Sequence, residues 1–203
     1  MAKTSLSLDI SRILDDETIP DDEKVKLYGN ALRRYVNIRN EIPALATDRD
    51  RQKSQRHLRL CGMNTDQLDR AIRLYAKRFD GVFSSYRLPT KPRLLICNTD
   101  PSDESGEHWI AIYVDDSGHY GEYFDSLGCA RTRTFERYMN EHCREWIYNC
   151  KQLQSIVSRF CGHYCACYCI LRSKGIDMCR FLRYFTRDTG LNDVIVHELI
   201  CNV

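Results

Sequence analysis

The sequence predicts an α+β domain: a small, mostly antiparallel sheet packed by helices, preceded by an N-terminal helical extension. Three observations carry that expectation. Apolar residues repeat at helical spacing in two early segments. Short runs rich in β-branched and aromatic residues, bounded by Pro, Gly, Ser and Asp, fill the middle. The last third returns to apolar runs of helical length. A chain of 203 residues suffices for one core with a small appendage.

Residues 1–60 read as the extension and a basic linker, and 61–203 as the main domain. In the extension, Val25, Tyr28, Leu32, Tyr35 and Val36 share one face of a helix expected from Asp21 to Arg39. Asp21, Asp22 and Glu23 suit the positive end of its dipole, and Pro43 stops it. "TDRDRQKSQRHLR" (47–59) is polar and mostly basic, a solvated segment or a contact for nucleic acid. A second helix is expected over 64–79, where Asn64 and Gln67 fit a capping box. Leu68, Ile72, Tyr75 and Phe79 form its apolar face.

Strands are expected at 93–99, 108–116 and 121–126, then a helix at 134–146 and another strand at 147–154. "CGHYCACYCILRSK" reads as a buried helix with Gly175 just past its end. "IDMCRFLRYF" and "NDVIVHELI" read as closing helices.

Composition narrows the class. The chain is 43% hydrophobic and 29% charged, the profile of a soluble globular protein. No apolar run approaches the roughly 18–20 residues of a membrane helix. "MAKTSLSLDISRILDD" lacks a signal peptide's apolar block, which predicts synthesis in a reducing compartment. Eleven cysteines, an odd number, then argue for thiols over a disulfide framework. A net charge of +2 does not demand an anionic partner.

"HWIAIYVDDSGHYGEYFDS" folds back on itself at Asp115–Gly118. With Asp116 and Ser117 at the tip, His108 faces Asp125. With Ser117 and Gly118 at the tip, Ile110 faces Asp125 and His108 becomes its diagonal neighbour. Either register brings an imidazole to a carboxylate that can fix its tautomer and raise its basicity. A bland cross-strand polar pair would look the same in sequence.

Four cysteines crowd "VSRFCGHYCACYC" (157–169). Cys161, Cys165, Cys167 and Cys169 lie on one helix, where successive residues turn by about 100°, so they cannot converge on a metal. Cys165, Cys167 and Cys169 suit small apolar packing. Cys161 opens the helix, where the dipole and free N–H groups favour thiolate, and Gly162 permits close backbone approach. A thiolate near a histidine held by an aspartate is an activated nucleophile. Gln154, seven residues earlier, could join the Cys161 N–H as a donor to an oxyanion.

His108-Trp109, "EYFDSLG" with Asp125, Gln154 and "CGHYC" with Cys161 appear in that order. Over about 64–203 the chain resembles the adenovirus-type cysteine endopeptidases, including those of Maverick/Polinton elements, distant relatives of SUMO- and ubiquitin-like-protein proteases. The resemblance implies a circularly permuted, papain-like architecture. It implies His108 as general base, Asp125 as third member, Gln154 in the oxyanion hole and Cys161 as nucleophile, with Trp109 shielding the pair. It implies cleavage of viral structural precursors after small residues such as glycine, inside a host cell and with packaging in virions, without metal or cofactor. Residues 1–60 have no counterpart in the adenoviral enzyme, which is activated by DNA and by a disulfide-linked peptide. Cys143 lies near the position of its activating cysteine, but the surrounding sequence differs, so these partners are not carried over. An isopeptidase for ubiquitin-like modifiers would use the same four residues, and a silent module binding DNA or capsid through 47–59 and 131–144 is the alternative outside enzymes.

Overall fold

The computed structural model describes residues 62–76, 78–99 and 108–201, together with Thr18. The helix expected at Asp21–Arg39, the basic segment 47–59 and the boundary at 60/61 lie outside the described residues.

Helix α1 (Thr65–Arg73) begins as expected. Asn64 accepts from the Gln67 N–H at 2.9 Å, and Gln67 accepts from the Asn64 N–H at 3.0 Å. The helix ends earlier than residue 79. Both Tyr75 and Ala76 donate back to the Ile72 carbonyl, and the chain peels away toward Asp80. The Asp80 carboxylate accepts from the N–H groups of Arg93 and Leu94, which ties this exit to the sheet. Leu68, Ile72, Ala76 and Phe79 remain buried through the transition.

Five strands follow: β1 (Gly81–Ser84), β2 (Leu94–Asn98), β3 (Trp109–Val114), β4 (Tyr120–Phe124) and β5 (Glu145–Tyr148), in that spatial order. The central pairs β2–β3 and β3–β4 are antiparallel, as expected. The outer pairs β1–β2 and β4–β5 are parallel. Helix α2 (Arg133–His142) carries the chain from β4 across to β5, the crossover that a parallel neighbour requires. Strand β1 has no counterpart in the sequence reading: it is four residues long and holds one β-branched residue. The 134–146 helix ends at His142, because residues 145–148 are drawn into β5. The strand expected at 147–154 is therefore mostly loop, and Gln154 sits in that loop instead of on a strand.

Side chains alternate across the sheet with period two. Leu94, Ile96, Trp109, Ala111 and Phe124 face one core; Leu95, Cys97, Ile110, Ile112, Val114 and Tyr123 face the other, under Phe135, Tyr138 and Met139 of α2. The first core belongs to helix α3 (Cys161–Ser173), buried at every position from Cys161 to Leu171. Helices α1, α4 (Met178–Leu182) and α5 (Thr189–Cys201) pack around it. A helix with such neighbours on all sides has no polar face to show, which is why the four cysteines suit it. Gly175 follows α3 with φ of 87°, the left-handed position expected for it. Among the described residues no helix is long and apolar enough to cross a membrane.

Candidate active site

The hairpin register decides how His108 meets Asp125. Ala111 pairs with Phe124, and Val114 with Gly121. Continuing that ladder puts Ile110, not His108, opposite Asp125, so the second of the two registers is realised. His108 is the diagonal neighbour, and its Nε2–H donates to Asp125 Oδ1 at 2.7 Å. The tip is held by Asp115, whose side chain accepts from the Ser117 hydroxyl and the His119 N–H, and by Gly118 with φ of 69°.

Asp125 is 2% exposed and heavily supported. Oδ1 also accepts from the Leu127 N–H at 2.8 Å. Asn149 grips the backbone of the same residue, accepting from its N–H at 2.8 Å and donating to its carbonyl at 2.6 Å. The acid thus sits on a fixed corner between β4 and the loop after β5.

With Nε2 committed to Asp125, the other ring nitrogen is left for the sulfur. Cys161 lies close enough to His108 for its charge to raise the imidazole pKa. Burial pulls the His108 pKa down, but hydrogen bonds to Asp125 and Cys161 and the negative charge of both outweigh it and push it up to about 10. Around neutral pH the ring is an imidazolium between two acids.

The packing of α3 against the sheet sets the position of Cys161. Phe160, the residue before the helix, makes no side-chain cap, so the first-turn N–H groups are not covered by a capping side chain. A Cβ on Gly162 would lie 3.3 Å from Leu68 Cδ2 and from Met63 Cβ, and 3.4 Å from Trp109 Cδ1. The glycine therefore lets α3 close onto α1 and β3 as the sequence suggested. Trp109 is a core residue here, 8% exposed, and its carbonyl accepts from the Cys165 thiol at 3.3 Å. Cys165, Cys167 and Cys169 are buried packing thiols, and burial raises all three pKa values.

Gln154 is 2% exposed. Its Oε1 accepts from the Ser126 hydroxyl at 2.7 Å, and Nε2 donates to the Ser158 carbonyl at 3.0 Å. One partner directly follows the acid and the other stands three residues before Cys161. Nε2 keeps its second hydrogen. The backbone around it is fixed too, since the Gln154 and Leu153 N–H groups both donate to the Ser126 carbonyl.

Of the sequence-derived site residues, His108 is bonded to Asp125, and Gln154 is bonded to Ser126, which follows that acid, and to Ser158 in the loop before Cys161. The sequence reading missed Asn149, Ser126 and Asp193, the last of which holds the Gln154 loop from α5. His163 turns into the core, stacked with His197 and edge-on to Phe160. Burial and the neighbouring His197 lower its pKa to about 3. Cys143 faces the second core at 7% exposure, with its sulfur against Gly121, which removes it from the surface role of an activating thiol. Among the described residues no group of three or more His, Cys, Asp or Glu is placed to hold a metal ion.

An α+β domain with a cysteine at a helix start, a histidine and a buried acid is the class that fold and site define. No family model matches the chain, and no curated protein does. Among solved structures it is similar to the ASFV pS273R protease, with 18% identity, 68% of this chain and 67% of that chain covered, and a TM-score of 0.47. It is also similar to SUMO protease Ulp1 with its catalytic cysteine oxidised to a sulfinic acid, with 12% identity, 79% and 99% covered, and a TM-score of 0.38. These TM-scores lie under 0.5, and the functional reading below stands on the site's geometry.

Proposed function

We propose that the protein is a cysteine endopeptidase built on Cys161, His108 and Asp125. One observation carries this reading: His108 bonds the buried Asp125 carboxylate at 2.7 Å and lies close enough to Cys161, at the start of a helix, for a charge there to raise the imidazole pKa. In this mechanism His108 takes the thiol proton and Cys161 attacks a peptide carbonyl. Carbon–sulfur bond formation moves negative charge onto the carbonyl oxygen. The Cys161 N–H and the second Gln154 amide hydrogen donate to that oxygen. His108 then passes its proton to the leaving amine as the carbon–nitrogen bond breaks. Water, deprotonated by His108, hydrolyses the thioester and restores the resting pair. Asp125 keeps the ring oriented throughout.

The substrate is a polypeptide. The sequence resemblance supports precursor proteins of a virus or virus-like element, cut after a small residue such as glycine. The decisive experiment incubates the protein with candidate structural precursors and sequences the new termini. Cys161→Ala and His108→Ala should each abolish cleavage while leaving the melting temperature near that of the parent. Cleavage surviving Cys161→Ala would reject the nucleophile. Reaction confined to ubiquitin-family probes would replace the endopeptidase by an isopeptidase with the same four residues.

A further inference from the structure

The loop between Gln154 and Cys161 is held from outside the hairpin and outside α3. Asp193, on α5, is 6% exposed. Its carboxylate accepts from the Ser155 N–H at 3.3 Å and from the Tyr164 hydroxyl at 2.9 Å, while the Ser158 hydroxyl donates to the Ser155 carbonyl at 3.1 Å. The Tyr164 hydroxyl also reaches the Leu153 carbonyl at 3.0 Å. Asn192, fully buried beside Asp193, donates to that same carbonyl at 3.1 Å and to the Thr186 carbonyl at 3.2 Å.

These bonds bracket Gln154 on both sides. Leu153 is fixed before it, and Ser155 and Ser158 after it. Ser158 is also the residue whose carbonyl receives the Gln154 amide. Between these anchors the chain makes a tight turn, with the Ser158 N–H donating to the Ser155 carbonyl at 3.0 Å. The turn pushes Ile156 and Val157 into solvent at 80% and 89% exposure. Two exposed branched apolar side chains gain nothing from burial, so the loop's conformation has to come from its polar anchors. A loop N–H and a buried hydroxyl meet on one buried carboxylate, which is more than a surface acid needs for solubility.

We propose that Asp193 is a positioning residue for the oxyanion hole: through the Ser155 N–H and the Tyr164 hydroxyl, on either side of Gln154, it sets where the Gln154 amide points. The inference rests on the protease reading and on the role of Gln154 within it. The Ser155 N–H can only donate, so the Asp193 carboxylate oxygens serve it as acceptors. Burial pushes its pKa up to about 6, against those hydrogen bonds and with the Asp188 charge adding to the rise. Asp193 touches neither the thiol nor the imidazole in any described contact. Its loss therefore acts on the transition state through Gln154 and leaves the nucleophile in place.

The test uses the full chain with Asp193→Asn. The probe is a fluorogenic peptide amide with glycine before the scissile bond, alongside iodoacetamide as a reagent for Cys161. Asparagine keeps the size but presents one acceptor oxygen. The expected result is a fall in kcat of about tenfold or more with KM within about twofold, as for other losses of oxyanion donors. The Cys161 alkylation rate should stay within about twofold of the parent, because alkylation builds no oxyanion. Amide hydrogen exchange at 155–158 should quicken, while β2 and β3 stay protected.

An unchanged kcat, or an alkylation rate that falls in step with kcat, overturns the proposal. If Asp193→Asn does not fold, Tyr164→Phe, which removes the hydroxyl bonded to Asp193, carries the test, with a smaller fall in kcat at constant KM expected and no change overturning it. A parent protein that fails to cut the probe, or a Cys161→Ala variant that still cuts it, overturns the protease reading and this inference together. A competent parent with an unaffected Asp193→Asn overturns the inference alone.

Discussion

The Ser126 hydroxyl donates to Gln154 Oε1 at 2.7 Å, both residues almost wholly buried. The residue that follows the histidine's acid thus orients the proposed oxyanion donor. With the oxygen of the amide pinned, its nitrogen is fixed as well, and the amide cannot flip to present the wrong end.

Ser126→Ala removes that pin and leaves a buried carbonyl oxygen without its donor. Such a loss costs about 1–3 kcal/mol when nothing replaces the donor. The variant should fold with a lowered melting temperature. Steady-state kinetics should show kcat falling by about tenfold with KM little changed. Equal effects on both constants would place Gln154 in substrate binding instead.

His163 should make the fold acid-sensitive. Its pKa is about 3 in the folded chain against about 6.5 unfolded, so the folded state prefers the neutral ring. The associated stability is complete above about pH 6.5 and is lost as pH falls toward 3, because the unfolded chain takes up the proton first. The slope for one group is at most about 1.4 kcal/mol per pH unit. Urea unfolding between pH 7 and 4 should show the decline, and His163→Phe should flatten it. An identical slope in the variant would assign the acid sensitivity elsewhere.

Glu122 is a buried carboxylate whose partners are all inside the fold. It accepts from Arg172 Nε at 2.9 Å, from the Tyr120 hydroxyl at 3.0 Å, from the Met178 N–H at 3.2 Å and from the Tyr168 hydroxyl. Glu122→Ala strands Arg172 beneath the sheet over the Tyr113 ring. Removing one member of such a pair costs about 3–5 kcal/mol. Chemical denaturation should register that loss. A loss under 1 kcal/mol would mean that water reaches Arg172 and takes over.

Elements with local signatures were legible. The Asn64–Gln67 box, the two candidate hairpin registers, Gly175 after α3 and the packing role of three cysteines all follow from neighbours in the chain. The parallel outer strands were not, because strand direction depends on crossovers and β1 is too short to show a period. Gln154 was expected at the end of a strand and lies in a loop. Ile147 and Tyr148 suggested a strand running to 154, yet the Asn149 and Lys151 contacts turn the chain out of the sheet. Asn149, Ser126 and Asp193 are ordinary polar residues in sequence. Only closure of distant segments gives them work, with 24 residues separating Asn149 from the acid that it holds and 38 separating Asp193 from Ser155.

Gly162 sets a limit on how this chain can change. With Leu68, Met63 and Trp109 all within 3.4 Å of the space a methyl would fill, even alanine would have to lever the helix start off its seat. A displacement of a few tenths of an ångström at that point swings the adjacent sulfur relative to the His108 ring. A library randomised at this codon and selected for turnover should return almost nothing but glycine, whereas one selected only for folding should tolerate the smallest side chains.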